Sequence, residues 1–409
     1  MVKSKSTKRK KVVLAFSGGL DTTVMVHWFT HRHGYDVIAF AADLGQGAEL
    51  APLKPRAKAA GAKKLIIKDL REEFLRDYCF PSLQSGALYQ GQYPMATSLG
   101  RPLITKYLLE IAKAEGAEYV AHGCTGKGND QARFEFTRAA LAPDIEVLVP
   151  IRTWEMKTRE QEIEYLNEHG IKHSVTKKNP YSTDRNLWGG SIECGVLEDP
   201  WVKPPEDAWQ TTVTPEKAPA KGVTLEVTFE RGIPVALDGK RMAPVPLVTR
   251  LGEIGARHGV GRIDMVEDRM VGFKSRELYE SPAAVILHTA HRAAEALTLD
   301  RESVALKQSL APRYAQIIYD GYWFSPAREA IDALVQSTQR FVTATVRLEL
   351  RQGTVTVVGR KSPVSAYVYT LATYEAADRF DQSASVGYLK LLGLPIETIA
   401  RAQRGKWPK

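Results

Sequence analysis

Cysteine is scarce in this chain: Cys79, Cys124 and Cys194 are the only three in 409 residues, and no two form a Cys-x-x-Cys pair. That excludes a disulfide framework and a cysteine-rich zinc site, and it fits a reducing compartment. Long apolar runs are missing too. No stretch approaches the roughly 18–20 residues that span a bilayer, and the N-terminus lacks the apolar core of a signal peptide. The expectation is a cytoplasmic protein with no membrane partner. There is no internal repeat. The glycine loop near the N-terminus carries neither Gly-x-x-x-x-Gly-Lys-Ser/Thr nor Gly-x-Gly-x-x-Gly, so it is neither of the two common phosphate cradles.

Charge of one sign is in modest excess. The formal net charge is +9, with 44% apolar and 25% charged residues, an ordinary globular composition. Lys3, Lys5, Lys8, Arg9, Lys10 and Lys11 form a short basic tail; without it the balance is about +3. The folded part therefore lacks the basic excess of a nucleic-acid binder, and no nucleic-acid partner is expected. A mildly positive field suits anionic small molecules.

What is present begins with Val12-Val13-Leu14-Ala15-Phe16-Ser17-Gly18-Gly19-Leu20-Asp21-Thr22-Thr23. Five unbroken apolar residues read as a strand buried on both faces of a parallel sheet. The turn at Ser17–Gly19 leads into a helix from Leu20 to Phe29. Unpaired backbone N–H groups at such a junction attract anions, and glycine lets a phosphate approach the backbone. The hydroxyls of Ser17, Thr22 and Thr23 add donors. The loop resembles the pyrophosphate loop of the ATP pyrophosphatases, Ser-Gly-Gly-x-Asp-Ser/Thr.

Further buried strands are expected at 37–42, 65–67, 119–121 and 147–149, with an amphipathic helix that Pro102 starts. This alternation predicts an α/β fold, a doubly wound parallel sheet with ligands at the carboxyl ends of its strands. The loops around Ser17, at 43–47 and at 122–126 should converge on one crevice. After about Tyr165 the texture changes. A proline-rich crossing at 199–222, strands at 223–229, 341–350 and 354–358, and helices at 282–297 and 325–341 predict an α+β synthetase domain. The expected division is a basic disordered tail over 1–11, an ATP-binding domain over 12–170, a synthetase domain over 171–372 and a C-terminal helical tail over 373–409. That tail carries Phe380, Val386, Tyr388, Leu389, Leu391, Leu392 and Leu394, an apolar surface that needs covering.

The second chemistry-bearing segment runs from His122 to Glu135 and includes Thr125-Gly126-Lys127-Gly128-Asn129-Asp130-Gln131. Asn129 and Arg133 lie four apart, on one helix face. A carboxylate at Asp130 suits an ammonium group and a guanidinium at Arg133 a carboxylate, so the segment can hold an amino acid. His122 and His258 sit in glycine-rich loops and read as structural.

With these segments the chain resembles the argininosuccinate synthases over about Lys11 to Leu394. The shared pattern continues through Tyr93-x-x-x-Thr97-Ser98-Leu-x-Arg101-Pro102, Asn179-Pro-Tyr-Ser182, His258-Gly-Val-Gly-Arg-Ile-Asp264, Lys274-Ser-Arg276 and Gly359-Arg-Lys-Ser-Pro363. The resemblance implies a ligase in which the ureido oxygen of L-citrulline attacks the α-phosphorus of ATP, and the amine of L-aspartate then displaces AMP. It assigns ATP to Ala15, Phe16, Ser17, Gly18, Gly19, Leu20, Asp21, Thr22, Thr23, Ala42 and Gly123. It assigns aspartate to Thr125, Asn129 and Asp130, and citrulline to Tyr93, Ser98, Asn129, Arg133, Ser182, Ser191, Glu267 and Tyr279. Ser17, Asp130 and Arg133 are the residues expected to carry catalysis. ATP enters as substrate with Mg2+ on its phosphates, no metal is held by a dedicated protein site, and the chain is expected to form a homotetramer. The residues alone would not single out Ser182, Ser191, Glu267 or Tyr279. A competing reading is a sulfur transferase acting on tRNA, for which Cys124 would be the nucleophile.

Overall fold

The computed structural model describes residues 9–172 and 181–404. The basic tail up to residue 8, and Asn179 and Pro180 of the family pattern, lie outside the described residues. The chain divides into two compact units, residues 1–364 and 365–409.

The first unit opens with β1 (Lys11–Ala15), α1 (Leu20–Arg32), β2 (Asp36–Asp43), α2 (Leu53–Ala59), β3 (Lys64–Asp69), α3 (Ala96–Glu115), β4 (Tyr119–Ala121), α4 (Asp130–Leu141), β5 (Glu146–Leu148) and α5 (Arg159–Glu168). The five strands form one parallel sheet in the order β3-β2-β1-β4-β5. The apolar run at β1 has its physical reason in the two faces of this sheet. Val13, Ile38 and Phe40 point into one core cluster, while Val12, Leu14, Val37 and Ala39 point into another. Alternate residues of β1 and β2 thus feed opposite layers, and no position is left for a polar residue. The order of the strands reverses at β1, between β2 and β4, which is where such sheets open a crevice.

One boundary differs from expectation. Pro102 lies inside α3, which already begins at Ala96. Met95, in the left-handed region at φ 60°, turns the chain into the helix there. The extra turn aligns Thr97, Arg101 and Ile104 along one stripe, and all three line the crevice.

The rest of the first unit holds β6 (Ser182–Asn186), β7 (Gly189–Glu193), β8 (Val223–Glu230), β9 (Ile233–Leu237), β10 (Lys240–Arg241), α6 (Pro244–Arg257), β11 (Arg262–Asp268), β12 (Lys274–Glu280), α7 (Pro282–Thr298), α8 (Arg301–Tyr319), α9 (Pro326–Gln339), β13 (Ala344–Arg351) and β14 (Thr354–Lys361). Two antiparallel sheets result, β10-β9-β8-β13-β14 and β11-β12-β7-β6. The second was not legible beforehand, and it supplies much of the site. Register pairs Ser182 with Glu193, Asp184 with Ser191, Ser191 with Tyr279, and Glu267 with Ser275. With a side-chain period of two, Ser182, Asp184, Ser191, Glu193, Glu267, Glu277 and Tyr279 all occupy one face. Ile192 and Leu278 point the other way, into a small core with Leu197 and Ala208.

In the second unit, α10 spans Ala384–Arg404 with Pro395 inside it, and 373–383 are turns and bends rather than helix. Val386, Tyr388, Leu389, Leu391, Leu392 and Ile396 on α10 are all exposed. No helix among the described residues is long and apolar enough to cross a membrane.

Candidate active site

A cavity of about 700 Å³ opens at the strand ends. Residues of all three loops predicted to converge line it: Ser17–Gly19, Gln46, and His122–Thr125. Of the residues that the resemblance assigns to substrates, all line it except Thr23 and Ser98. Thr23 is buried and its hydroxyl donates to Gly19 O at 2.7 Å, so it braces the loop from beneath. Ser98 is fully buried in the first turn of α3, with its hydroxyl facing protein interior.

The loop part of the lining is built from backbone and hydroxyls. Gly18 has φ 73°, a left-handed conformation natural to glycine, and a Cβ there would collide with Leu53 of α2. The carbonyl of Gly18 accepts from the Arg56 guanidinium at 3.0 Å. Ser17 Oγ lies 3.2 Å from Thr22 Oγ1 and accepts from Gly19 N at 3.3 Å. At Gly123 an added Cβ would press on Thr22 at 3.0 Å, so the second loop packs tightly on the first. Behind the loop, burial and the neighbouring Asp21 charge push the Glu162 carboxyl of α5 up to about 9. Burial and the Asp21 charge thus disfavour a second negative charge behind the loop.

The remaining lining is built from ion pairs and tyrosines. Asp130 opens α4, but both its oxygens are taken: Oδ1 accepts from Arg133 at 2.7 Å and Oδ2 from Arg101 Nε at 2.8 Å. Arg101 also pairs with Asp184. Burial opposes ionisation of Asp130, yet the two guanidinium charges outweigh it and hold its carboxyl below the usual range. Asn129 does not act as a side-chain helix cap. Its Nδ2 donates to Tyr319 Oη at 2.7 Å, and its Oδ1 accepts from Met270 N at 2.9 Å. Glu267 accepts from Tyr279 at 2.6 Å and from Tyr319. Burial raises the Glu267 carboxyl, and these hydrogen bonds pull against that rise. Tyr93 stacks on Tyr279 with ring centroids 3.6 Å apart. Arg269 sits between Glu193 and Glu277 at 2.5 Å from each. With Glu267 nearby, one guanidinium serves three carboxyls, and burial together with Glu193 pushes Glu277 up to about 9.

Arg101, Asp184, Glu193, Arg269, Glu277 and Tyr319 line the cavity without having been assigned a role from the sequence. A signal existed for some of them. Ser182-x-Asp184, Ser191-x-Glu193 and Glu277-x-Tyr279 are period-two polar pairs, the mark of strands that show a polar face to a site. His122 is buried and its Nδ1 accepts from Cys124 N at 3.3 Å; burial lowers the ring to about 3, so it stays neutral and holds the loop. His258 does not line the cavity, and its ring bonds the Ile254 carbonyl at 2.9 Å. All three cysteines are free, and burial pushes the Cys124 thiol well up, away from the thiolate that sulfur transfer needs. Among the described residues no group of three or more His, Cys, Asp or Glu could hold a metal ion.

A glycine loop at the switch point of a parallel sheet, facing a polar antiparallel sheet across one cavity, defines a nucleotide-binding synthetase. Residues 11–172 match the arginosuccinate synthase N-terminal HUP domain, and residues 181–399 match the arginosuccinate synthase C-terminal domain. The chain is 52% identical to the argininosuccinate synthase of Chlorobium phaeobacteroides (strain BS1) over 396 residues, covering 97% of this chain and 98% of that one. It is 52% identical to the argininosuccinate synthase of Pelodictyon phaeoclathratiforme over 398 residues, 97% and 100% of the two chains. The enzyme of the same name from Chlorobium luteolum is 50% identical over 399 residues, 98% and 100%. The chain belongs to the argininosuccinate synthase family, a family of ligases.

Proposed function

We propose that this chain joins L-citrulline to L-aspartate with ATP, releasing AMP and pyrophosphate. The observation that carries the reading is a single cavity lined by both the glycine loop and the ion-paired amino-acid residues. The reaction is a positioning problem. Three substrates must be held in line, and water kept from an activated citrullyl-AMP. The loop N–H groups and the Ser17 and Thr22 hydroxyls suit the β and γ phosphates, where charge develops as pyrophosphate leaves. Arg133 suits the citrulline carboxylate, and Glu267 with Tyr279 its ammonium and polar atoms. Thr125, Asn129 and Asp130 suit aspartate. No enzyme nucleophile is required.

ATP enters as its magnesium complex. Magnesium prefers hard oxygen donors and keeps much of its water, so the phosphates hold most of it. The Asp21 carboxylate and the Ser17 and Thr22 hydroxyls, all on the lining, are donors of that kind.

The assembly is a homotetramer working in the cytoplasm. The exposed apolar residues of α10 support burial against another copy of the chain, since an uncovered patch of that kind favours association. Removing residues 374–409 should give smaller particles by light scattering; an intact tetramer would overturn that role for the tail. For the reaction, incubation with ATP and citrulline, with and without aspartate, is decisive. AMP and pyrophosphate should appear only when citrulline is present, and ADP with orthophosphate would overturn the reading.

A further inference from the structure

We propose that Tyr319 is a positioning residue that fixes Asn129, Arg133 and Glu267 together in the arrangement that receives citrulline. The inference rests on the functional reading above and extends it to a residue that no sequence pattern marked.

Tyr319 is the last residue of α8, 190 positions from Asn129, and it is 1% exposed. Its hydroxyl has one proton, which it donates to Glu267 Oε1. The Tyr319 hydroxyl oxygen in turn accepts from Asn129 Nδ2 at 2.7 Å. That bond decides which way the Asn129 amide faces, because Oδ1 must then meet Met270 N at 2.9 Å. The backbone carbonyl of Tyr319 accepts from Arg133 Nε at 2.9 Å, while Asp130 holds Arg133 on another side at 2.7 Å. The guanidinium plane is thereby fixed from two directions, with its centre 5.0 Å from the Tyr319 ring. The ring itself is locked by stacking on Tyr89, with centroids 3.5 Å apart and planes within 4°. The Tyr89 hydroxyl donates to the carbonyl of Asp268, the residue after Glu267, at 2.6 Å. One side chain thus ties α4 of the nucleotide-binding sheet to β11 of the polar sheet.

The test is Tyr319→Phe, which keeps the stack and the backbone carbonyl and removes only the hydroxyl. Hydrogen bonds to a charged group are among the stronger ones, so KM for citrulline should rise about tenfold or more, with KM for ATP changed less than about threefold. A second readout follows from the charges around Glu267, namely Arg133 and Arg269, the Glu277 carboxyl, and the hydroxyls of Tyr89, Tyr93, Tyr279 and Tyr319. Losing a donor raises the Glu267 carboxyl further, so the acid limb of kcat/KM for citrulline should move to higher pH. In the Glu267→Gln background the same substitution should cost less, because the charge that strengthens the bond is gone. A lower melting temperature with unchanged citrulline KM and an unmoved acid limb would mean a merely structural role and would overturn the inference. So would equal losses for ATP and citrulline. A wild-type protein without citrulline-dependent AMP formation would overturn the functional reading, and this inference with it; normal wild-type turnover beside an unaltered Tyr319→Phe enzyme would overturn the inference alone.

Discussion

In the glycine-loop part of the cavity, one stretch from Ser17 to Thr22 brings backbone and hydroxyl groups to the lining, with Arg56 and Gly123 packed beside it. In the ion-paired part, the working groups are side chains from α3, α4, β6, β7, β11, β12 and α8, and few of them are close in sequence. The first is shaped by a left-handed glycine packed against Leu53; in the second, each charged group is held by a partner side chain from another element or turn. A local device of that kind fails through shape. A distributed one fails through loss of a partner, and the failure spreads to whatever the partner was holding.

Substitution at Gly18 tests the first half of that contrast. Gly18→Val forces a branched side chain into a left-handed backbone and onto Leu53. A shift of about 1 Å in a phosphate cradle costs on the order of a hundredfold in rate, so pyrophosphate release should fall by about that much, with citrulline binding by calorimetry preserved. If citrulline binding collapses as well, the two parts are not independent.

Arg133→Lys tests the second half. A point charge cannot replace a planar fork held by Asp130 and the Tyr319 carbonyl. Citrulline KM should rise by roughly ten- to a hundredfold, with the ATP dissociation constant nearly unchanged, as steady-state kinetics and nucleotide titration would report.

Asp130→Asn sharpens the comparison. Taken alone, a carboxylate facing an amine predicts loss of the aspartate step only. The structure gives Asp130 two arginines, one of them Arg133. Arg101 keeps Asp184, so removing the Asp130 charge leaves Arg133 under-compensated, at a cost on the order of 2 kcal/mol for a pair that is only partly exposed. Both citrullyl-AMP formation and its consumption should therefore suffer, and separate half-reaction assays will show whether they do. The sign of the pH effect follows. Because the folded carboxyl is held low, the wild type has this stabilisation above the unfolded value of 3.8 and loses it as pH falls through the lower folded value.

The smallest effect is expected at Glu277. Its carboxyl is held up to about 9 against 4.5 for an unperturbed glutamate, so the folded chain carries an extra proton between those values. Wild-type stability should thus fall as pH rises through that window, and Glu277→Gln should lack the slope while melting within about 1 kcal/mol of wild type at pH 7. Thermal melts across the window decide it; a large loss at pH 7 would show that Glu277 is ionised and that Arg269 depends on it.

The same contrast explains what could be read from the sequence. The parallel sheet was legible because burial on both faces leaves β1 and β2 no polar position. The glycine loop was legible because its chemistry is contiguous. The 125–133 segment was legible in its residue types, but the partners of Asp130 were not, because Arg101 and Asp184 belong to other elements. Ser182, Ser191, Glu267 and Tyr279 became visible only through family resemblance. Their common property is cross-strand register, which a single strand does not reveal. The start of α3 was misplaced because proline suits a helix's first turn but is also tolerated further in when packing outweighs the lost hydrogen bond.

The chain of charges from Asp184 through Arg101 and Asp130 to Arg133 alternates in sign and ends with two of each. Such a row has almost no net charge, so its field falls off with distance faster than that of a single ion. A zwitterion such as citrulline has no net charge for a distant field to pull on, so its encounter should depend little on ionic strength. The polyanionic nucleotide, by contrast, carries a net charge that a mildly positive chain attracts at longer range. Salt should therefore slow the capture of ATP more than the capture of citrulline, so the ionic strength of the medium should shift which substrate the empty enzyme meets first.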